Sequence, residues 1–289
     1  MSSKHGILVG VTGRGENTAA LRWAAQEATR RGVPVTLAHV VHEILPPPPP
    51  SVLMAPIGWD DIGRYVLDQV EDELTTSVDA SVPVQRVLEH GYPSWTLCEL
   101  SHDADLVVVQ HRGRHGLHRL STRSAAVTLG GHAACPAVSV PEGWTGEQPQ
   151  EDADWITVGV HEKGASPEVL AAAFAAASAR GASLRLVHAW RLDPAYDAIV
   201  VARIDPSWGE RVRAEITEAA DAEMQAHPTV KVDVQVLHQW PAEALDQLAE
   251  TSSLLVVGRH ETTMPWPRIG SIARAAVSRS ACPVMVVPT

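Results

Sequence analysis

Cysteine is scarce in this chain: Cys98, Cys135 and Cys282 are the whole supply, and no two of them form a CxxC pair. An odd count this low gives no disulfide framework and suits a reducing compartment. Aromatic residues are thin too, with nine Trp, three Tyr and a single Phe, so Ala and Val carry most of the apolar content. No apolar run approaches the ~18–20 residues that a membrane span needs. Met1 to Gly6 pass almost directly into the apolar run Ile7 to Val11, with no separate h-region and cleavage site. The expectation is a cytoplasmic protein without a membrane partner. Positive charge is in deficit, 23 Lys and Arg against 34 Asp and Glu, a formal −11. That balance argues against nucleic acid, whose phosphates reward a basic surface, and against an anionic membrane surface.

What the chain does have is a repeat. Ile7-Leu-Val-Gly-Val11 matches Ile156-Thr-Val-Gly-Val160, an offset that also pairs Arg31-Gly32 with Arg180-Gly181 and His39 with His188. The register slips by one residue where Pro93 meets Pro241 and Leu106–Val109 meets Leu254–Val257. It slips once more where Cys135-Pro136 meets Cys282-Pro283 and Val140-Pro141 meets Val287-Pro288. A register that holds through elements and slips between them is what loops tolerate. The chain therefore reads as two domains, residues 1–142 and 155–289, joined by a polar, acidic linker over 143–154.

Each copy alternates short apolar strands with helices. The strands are continuous apolar runs, as in a parallel sheet covered on both faces. With right-handed crossovers this gives two tandem doubly wound, five-stranded parallel α/β sheets of strand order 3-2-1-4-5, a flavodoxin-like arrangement. The first helix of copy two has Ser166 as N-cap, Pro167 at its first position and Gly181 as stop; copy one offers Asn17 or Thr18 and Gly32. The second strands are Val35–Val41 and Leu184–Ala189, the last Ala137–Val140 and Val284–Val287. A variable loop follows strand two and holds Pro46–Pro50 in copy one; lacking flanking specificity residues, the run reads as a stiff surface loop before it reads as a docking segment. Ligands of such sheets bind beyond the carboxyl ends of the strands, so the loops after strands one, two and four are where chemistry belongs.

The loop after strand four carries a resemblance. Copy one reads Val109-Gln-His-Arg-Gly-Arg-His-Gly-Leu-His-Arg-Leu-Ser-Thr-Arg-Ser124, then Cys135-Pro-Ala-Val. Copy two reads Val257-Gly-Arg-His-Glu-Thr-Thr-Met-Pro-Trp-Pro-Arg-Ile-Gly-Ser271, then Cys282-Pro-Val. With Leu8-Val-Gly-Val11 and Leu88-Glu-His-Gly-Tyr-Pro93, this resembles the universal stress protein family, along almost all of both copies. That family has a glycine loop of pattern G-x2-G-x9-G-[ST] whose backbone N–H groups approach the phosphates of ATP. An Asp after its first strand contacts the nucleoside, and the residue after its second strand lines the adenine. The resemblance implies a regulatory, stress-response protein that binds an adenine nucleotide, ATP, with magnesium only as the nucleotide's companion. It implies no enzyme beyond weak ATP hydrolysis at most. It also implies an intrachain pseudo-dimer meeting through the last strands, and it leaves room for a homodimer. The alternative is a scaffold that binds no nucleotide and acts through protein partners.

Both copies depart from the pattern. In copy one Gln110 stands for the first loop glycine and Arg123 for the third, while Gly113 and Ser124 are kept, and Thr12 replaces the Asp. In copy two Gly258, Gly270 and Ser271 are kept, Glu261 replaces the second glycine, the loop is one residue short, and His161 replaces the Asp. A lost hydrogen bond to a charged group costs about 1.5–3 kcal/mol and a non-glycine residue at positive φ about 1–2 kcal/mol, enough in pairs to weaken a micromolar site by about two to four orders of magnitude. Copy one also carries Arg112, Arg114 and Arg119 beside Arg123, and guanidinium recognises phosphate. The sign of the loop should outweigh its glycine count, so the expectation puts any ATP in copy one, near Thr12, Val41, Gly113 and Ser124.

The remaining candidates read as structure. His111, His115 and His118 lack a fourth metal ligand or a nearby carboxylate, so no metal is expected. His39 and His188 are satisfied strand histidines, and Cys135 and Cys282 small buried apolar residues. Gly13-Arg-Gly15 hints at a dinucleotide fingerprint but lacks its third glycine. No Ser-His-Asp, paired-carboxylate or nucleophile-elbow set stands out, so no catalytic residue is assigned.

Overall fold

Residues 4–42, 58–77, 82–111, 125–146, 154–259 and 269–289 are described by a computed structural model of the chain. They fall into two compact units, Met1–Gly146 and Glu147–Thr289. Loop residues Arg112, Gly113, Arg114, Arg123 and Ser124, with Glu261, His115 and His118, lie outside the described residues, as does Pro46–Pro50.

The first unit runs β1 (Ile7–Gly10), α1 (Thr18–Arg31), β2 (Val35–Val41), α2 (Trp59–Ser77), β3 (Val84–His90) and α3 (Pro93–Leu100). After a 3-10 turn at Ser101–Asp103 come β4 (Leu106–His111), α4 (Ala125–His132) and β5 (Ala137–Pro141). The strands lie in the order β3-β2-β1-β4-β5, and each pairs in parallel with its neighbours. Ile7, Leu8 and Val9 are wholly buried, as a strand with helices on both faces must be. Helix α1 packs on α2, and α3 on α4.

The second unit repeats the plan with β6 (Trp155–Gly159), α5 (Pro167–Arg180), β7 (Ser183–Ala189), α6 (Pro194–Val201) and α7 (Trp208–Ala226). It continues with β8 (Val232–Leu237), α8 (Pro241–Ala249), β9 (Ser252–Gly258), α9 (Ser271–Arg279) and β10 (Val284–Val287). Its parallel order is β8-β7-β6-β9-β10, which is 3-2-1-4-5 once more. Phe174, the only phenylalanine, is fully buried on α5. Among the described residues no helix is long and apolar enough to cross a membrane.

Two local expectations change. Helix α6 occupies the connection after β7 that the sequence marks only as a variable loop. And Asn17 stands at the N-cap of α1 without capping it. Its side chain instead accepts from the Thr12 N–H at 2.9 Å. On α5, by contrast, Ser166 Oγ accepts from the Val169 N–H as the sequence implies.

Candidate functional site

A cleft of about 720 Å³ opens at the carboxyl ends of β6, β7 and β9 in the second unit. A parallel sheet puts its ligands at this end, where the strands stop and three helices start. Gly159, Val160 and His161 line it from the end of β6, Val187, His188 and Ala189 from β7, and Val257, Gly258 and Arg259 from β9. Helix starts close the wall: Ser166 and Glu168 at α5, Pro241 at α8, and Gly270 with Ser271 at α9. The first N–H groups of a helix lack intrahelical partners and carry the positive end of its dipole; since Ser166 already takes the Val169 N–H of α5 and α8 opens on Pro241, which has no N–H, the start of α9 is the one that most favours an anion. Gly270 is the N-cap of α9 and has no side chain to offer its N–H groups.

The charges of the cleft come from both signs. Arg259 brings a cation. Glu168 brings a carboxylate held below its usual value, chiefly by its own backbone N–H and next by the Ser166 hydroxyl. His188 is oriented by its Nδ1–H, which donates to the Val160 carbonyl at 3.3 Å. His161 forms a bridge with Gly164, N–H to carbonyl in both directions. Gly258 matters for space: a Cβ there would sit 3.1 Å from a methyl of Val169 and 3.4 Å from that of Thr289.

The same place in the first unit is built differently. Gln110, at the position of Gly258, lays its side chain across the start of α1. Its Oε1 accepts from the N–H groups of Ala19 and Ala20 at 2.9 and 3.3 Å, and its Nε2 donates to the Glu16 carbonyl at 2.9 Å. Thr12, the site candidate after β1, is spent on the same turn: its hydroxyl donates to Glu16 at 3.1 Å and to Asn17 at 3.2 Å. Behind the turn the buried carboxylate of Glu73 accepts from the Gly15 N–H at 2.7 Å and from the Thr18 hydroxyl. The Gly13–Gly15 turn is thus held by a carboxylate of the chain itself. Val41 ends β2, buried. His39 repeats the bond of His188, donating from Nδ1 to the Val11 carbonyl at 3.0 Å.

Of the site residues named from the sequence, the structure gathers Gly258, Gly270 and Ser271 into one cleft and places Thr12, exposed, in the turn before α1, bonded to Glu16 and Asn17. Sequence reasoning missed Arg259, Glu168 and the hydrogen bonds of Gln110 to the start of α1. An amide side chain at a motif glycine was the available signal for the last; it counted there only as a lost glycine.

Comparison with known proteins fits this architecture. The model of the universal stress protein family matches the chain twice, at residues 5–141 and 154–288. A universal stress protein of Mycolicibacterium smegmatis is 30% identical, covering 99% of this chain and 98% of its own. Universal stress protein Rv2005c of Mycobacterium tuberculosis is 29% identical, covering 98% and 97%. The crystal structure of a universal stress protein from Archaeoglobus fulgidus superposes with a TM-score of 0.67 at 15% identity, over 99% of this chain and 97% of that one.

Proposed function

The chain belongs to the universal stress protein family, and on that premise we propose that it is a regulatory protein that binds one adenine nucleotide, ATP, in the cleft of its second domain. The observation that carries this reading is the contrast between Gly258 and Gln110. At one and the same motif position the second domain has a glycine that lines a cleft, and the first has an amide side chain bonded across the start of α1. A volume of about 720 Å³ lies within the ~300–1,000 Å³ usual for small-molecule sites. The phosphates would meet the start of α9, where Gly270 and Ser271 offer N–H groups and a hydroxyl, with Arg259 beside them. The base and sugar would lie toward Val160, His161 and Val187–Ala189. Magnesium would enter only with the nucleotide. This reverses the preference for the first domain drawn from its arginines. The amide donors at the start of α1 already have acceptors, and Glu16 and Glu73 bring like charge to any phosphate placed there. The role is regulatory occupancy rather than turnover.

Calorimetric titration with ATP tests it. The expected result is one nucleotide per chain, with affinity reduced by at least about a hundredfold in Gly258→Gln, since Gly258 lines the cleft and even a Cβ there would sit 3.1 Å from Val169; each tenfold is about 1.4 kcal/mol. Gln110→Gly should leave that affinity unchanged. A site that survives Gly258→Gln but disappears with Arg112→Glu and Arg114→Glu would move the nucleotide to the first domain.

A further inference from the structure

Helix α6 is built inside out. Its one buried residue is an acid, Asp197. That carboxylate accepts from the Leu192 N–H at 3.1 Å, pairs with His238 Nε2 at 2.9 Å, and has Arg191 at 3.8 Å. Its apolar residues face water: Tyr196 is 65% exposed, Ile199 53%, and Val200 and Val201 are exposed as well. A surface helix normally turns its apolar stripe to the core. Single exposed apolar residues are ordinary, but Tyr196, Ile199 and Val200 stand three and four residues apart, which makes them neighbours on one helix surface. Leu192, just before the helix, and Trp240 are exposed as well, and the Arg191 guanidinium lies 6.0 Å from the Trp240 ring. Three exposed apolar neighbours on one helix face point to an interaction surface.

The charges at its ends indicate what covers it. Asp193 opens the helix as its N-cap, and Arg203 stands just past its end, exposed. A two-fold interface is self-complementary: if residue i of one copy meets residue j of the other, j meets i. Laid antiparallel on its own copy about an axis near Ala198, α6 sets Asp193 opposite the partner's Arg203 and Tyr196 opposite the partner's Val200, each contact occurring twice. A parallel arrangement would bring like charges together. A lipid surface fits poorly, because the chain carries −11 and Asp193 and Asp205 flank the patch.

We propose that α6 is a homodimer face on which two chains pack antiparallel, with Tyr196, Ile199 and Val200 at its centre and an Asp193–Arg203 pair at each end. Eight residues span only ~12 Å of helix, well short of the ~800 Å² per partner of a standard interface. The dimer is therefore weak and forms only as the concentration of the chain rises.

Sedimentation velocity of the full, nucleotide-free chain from about 1 to about 200 µM is the test. The mass should rise with concentration from 31.0 kDa toward twice that value. Ile199→Glu should hold the chain monomeric, and Arg203→Glu should weaken the dimer at least about tenfold. Both positions are exposed, and unchanged circular dichroism and thermal midpoint would show that the variants fold. The proposal falls if the chain stays monomeric throughout, or if its dimer is indifferent to Ile199→Glu. It falls too if the patch instead carries the chain to lipid vesicles in flotation, an effect that Ile199→Glu would abolish. Because no nucleotide is present, none of these outcomes bears on the cleft.

Discussion

The thiols of Cys135 and Cys282 precede the last strand of each domain, and burial pushes them up, to about 12 and about 11. The neutral form is the one the fold accommodates. A thiol whose folded value is raised costs no stability below its unfolded value near 9, where both states are protonated. Between about 9 and 11–12 the unfolded chain ionises and the folded one does not, so stability falls as pH rises through that window. Since thiolate is the reactive form, a disulfide reagent at pH 8 should label neither residue in the folded chain and both after unfolding in urea. Rapid labelling of Cys282 in the folded chain would contradict this. That both are small buried residues is legible from their place before proline at a strand start. The role of Gln110 is not, because a missing glycine says that a side chain stands there without saying what it bonds. The fate of its amide depends on the direction of the side chain, which only packing decides.

Helix ends were the most legible elements. Arg31-Gly32 and Arg180-Gly181 close α1 and α5 alike, both glycines at φ 65°. That left-handed conformation suits glycine at the residue after a helix. Nothing lies within 4 Å of a Cβ added at either position, so the cost of a side chain is purely conformational. Gly32→Ala and Gly181→Ala should each destabilise their own domain by about 1–2 kcal/mol in chemical denaturation, and Asn at either site should recover part of the loss. A cost above about 4 kcal/mol would mean a clash absent from this geometry. The start of α1 was harder to read. Asn17 is a good cap by type, but Gln110 takes the donors that a cap would satisfy. Helix α6 escaped for a different reason: Pro194-Ala-Tyr-Asp-Ala-Ile-Val-Val201 is apolar nearly all round, so it shows no helical stripe. The apolar runs of the strands, in contrast, announced a parallel sheet because burial on both faces leaves no room for polar alternation.

At the scale of the whole molecule the duplication was plain in the sequence, since an ordered series of matches with a slipping register has no cheaper explanation. Which copy takes a nucleotide was not. The arginines of its loop favour the first copy, whereas the proposed site turns on one side chain at the end of β4. That side chain has a thermodynamic consequence. A ligand stabilises only the state that binds it, by about 2.7 kcal/mol at a concentration a hundredfold above its dissociation constant. The second domain would draw this support from the nucleotide pool; the first, with Gln110 and Glu73 in place, draws equivalent contacts from its own chain at any nucleotide level. Limited proteolysis should therefore cut the second domain more slowly as ATP is added and leave the rate in the first unchanged. Equal protection of both halves would refute that asymmetry. In a cell whose ATP falls, the second half of the molecule would become the more perishable, so the lifetime of the chain itself would report the energy state.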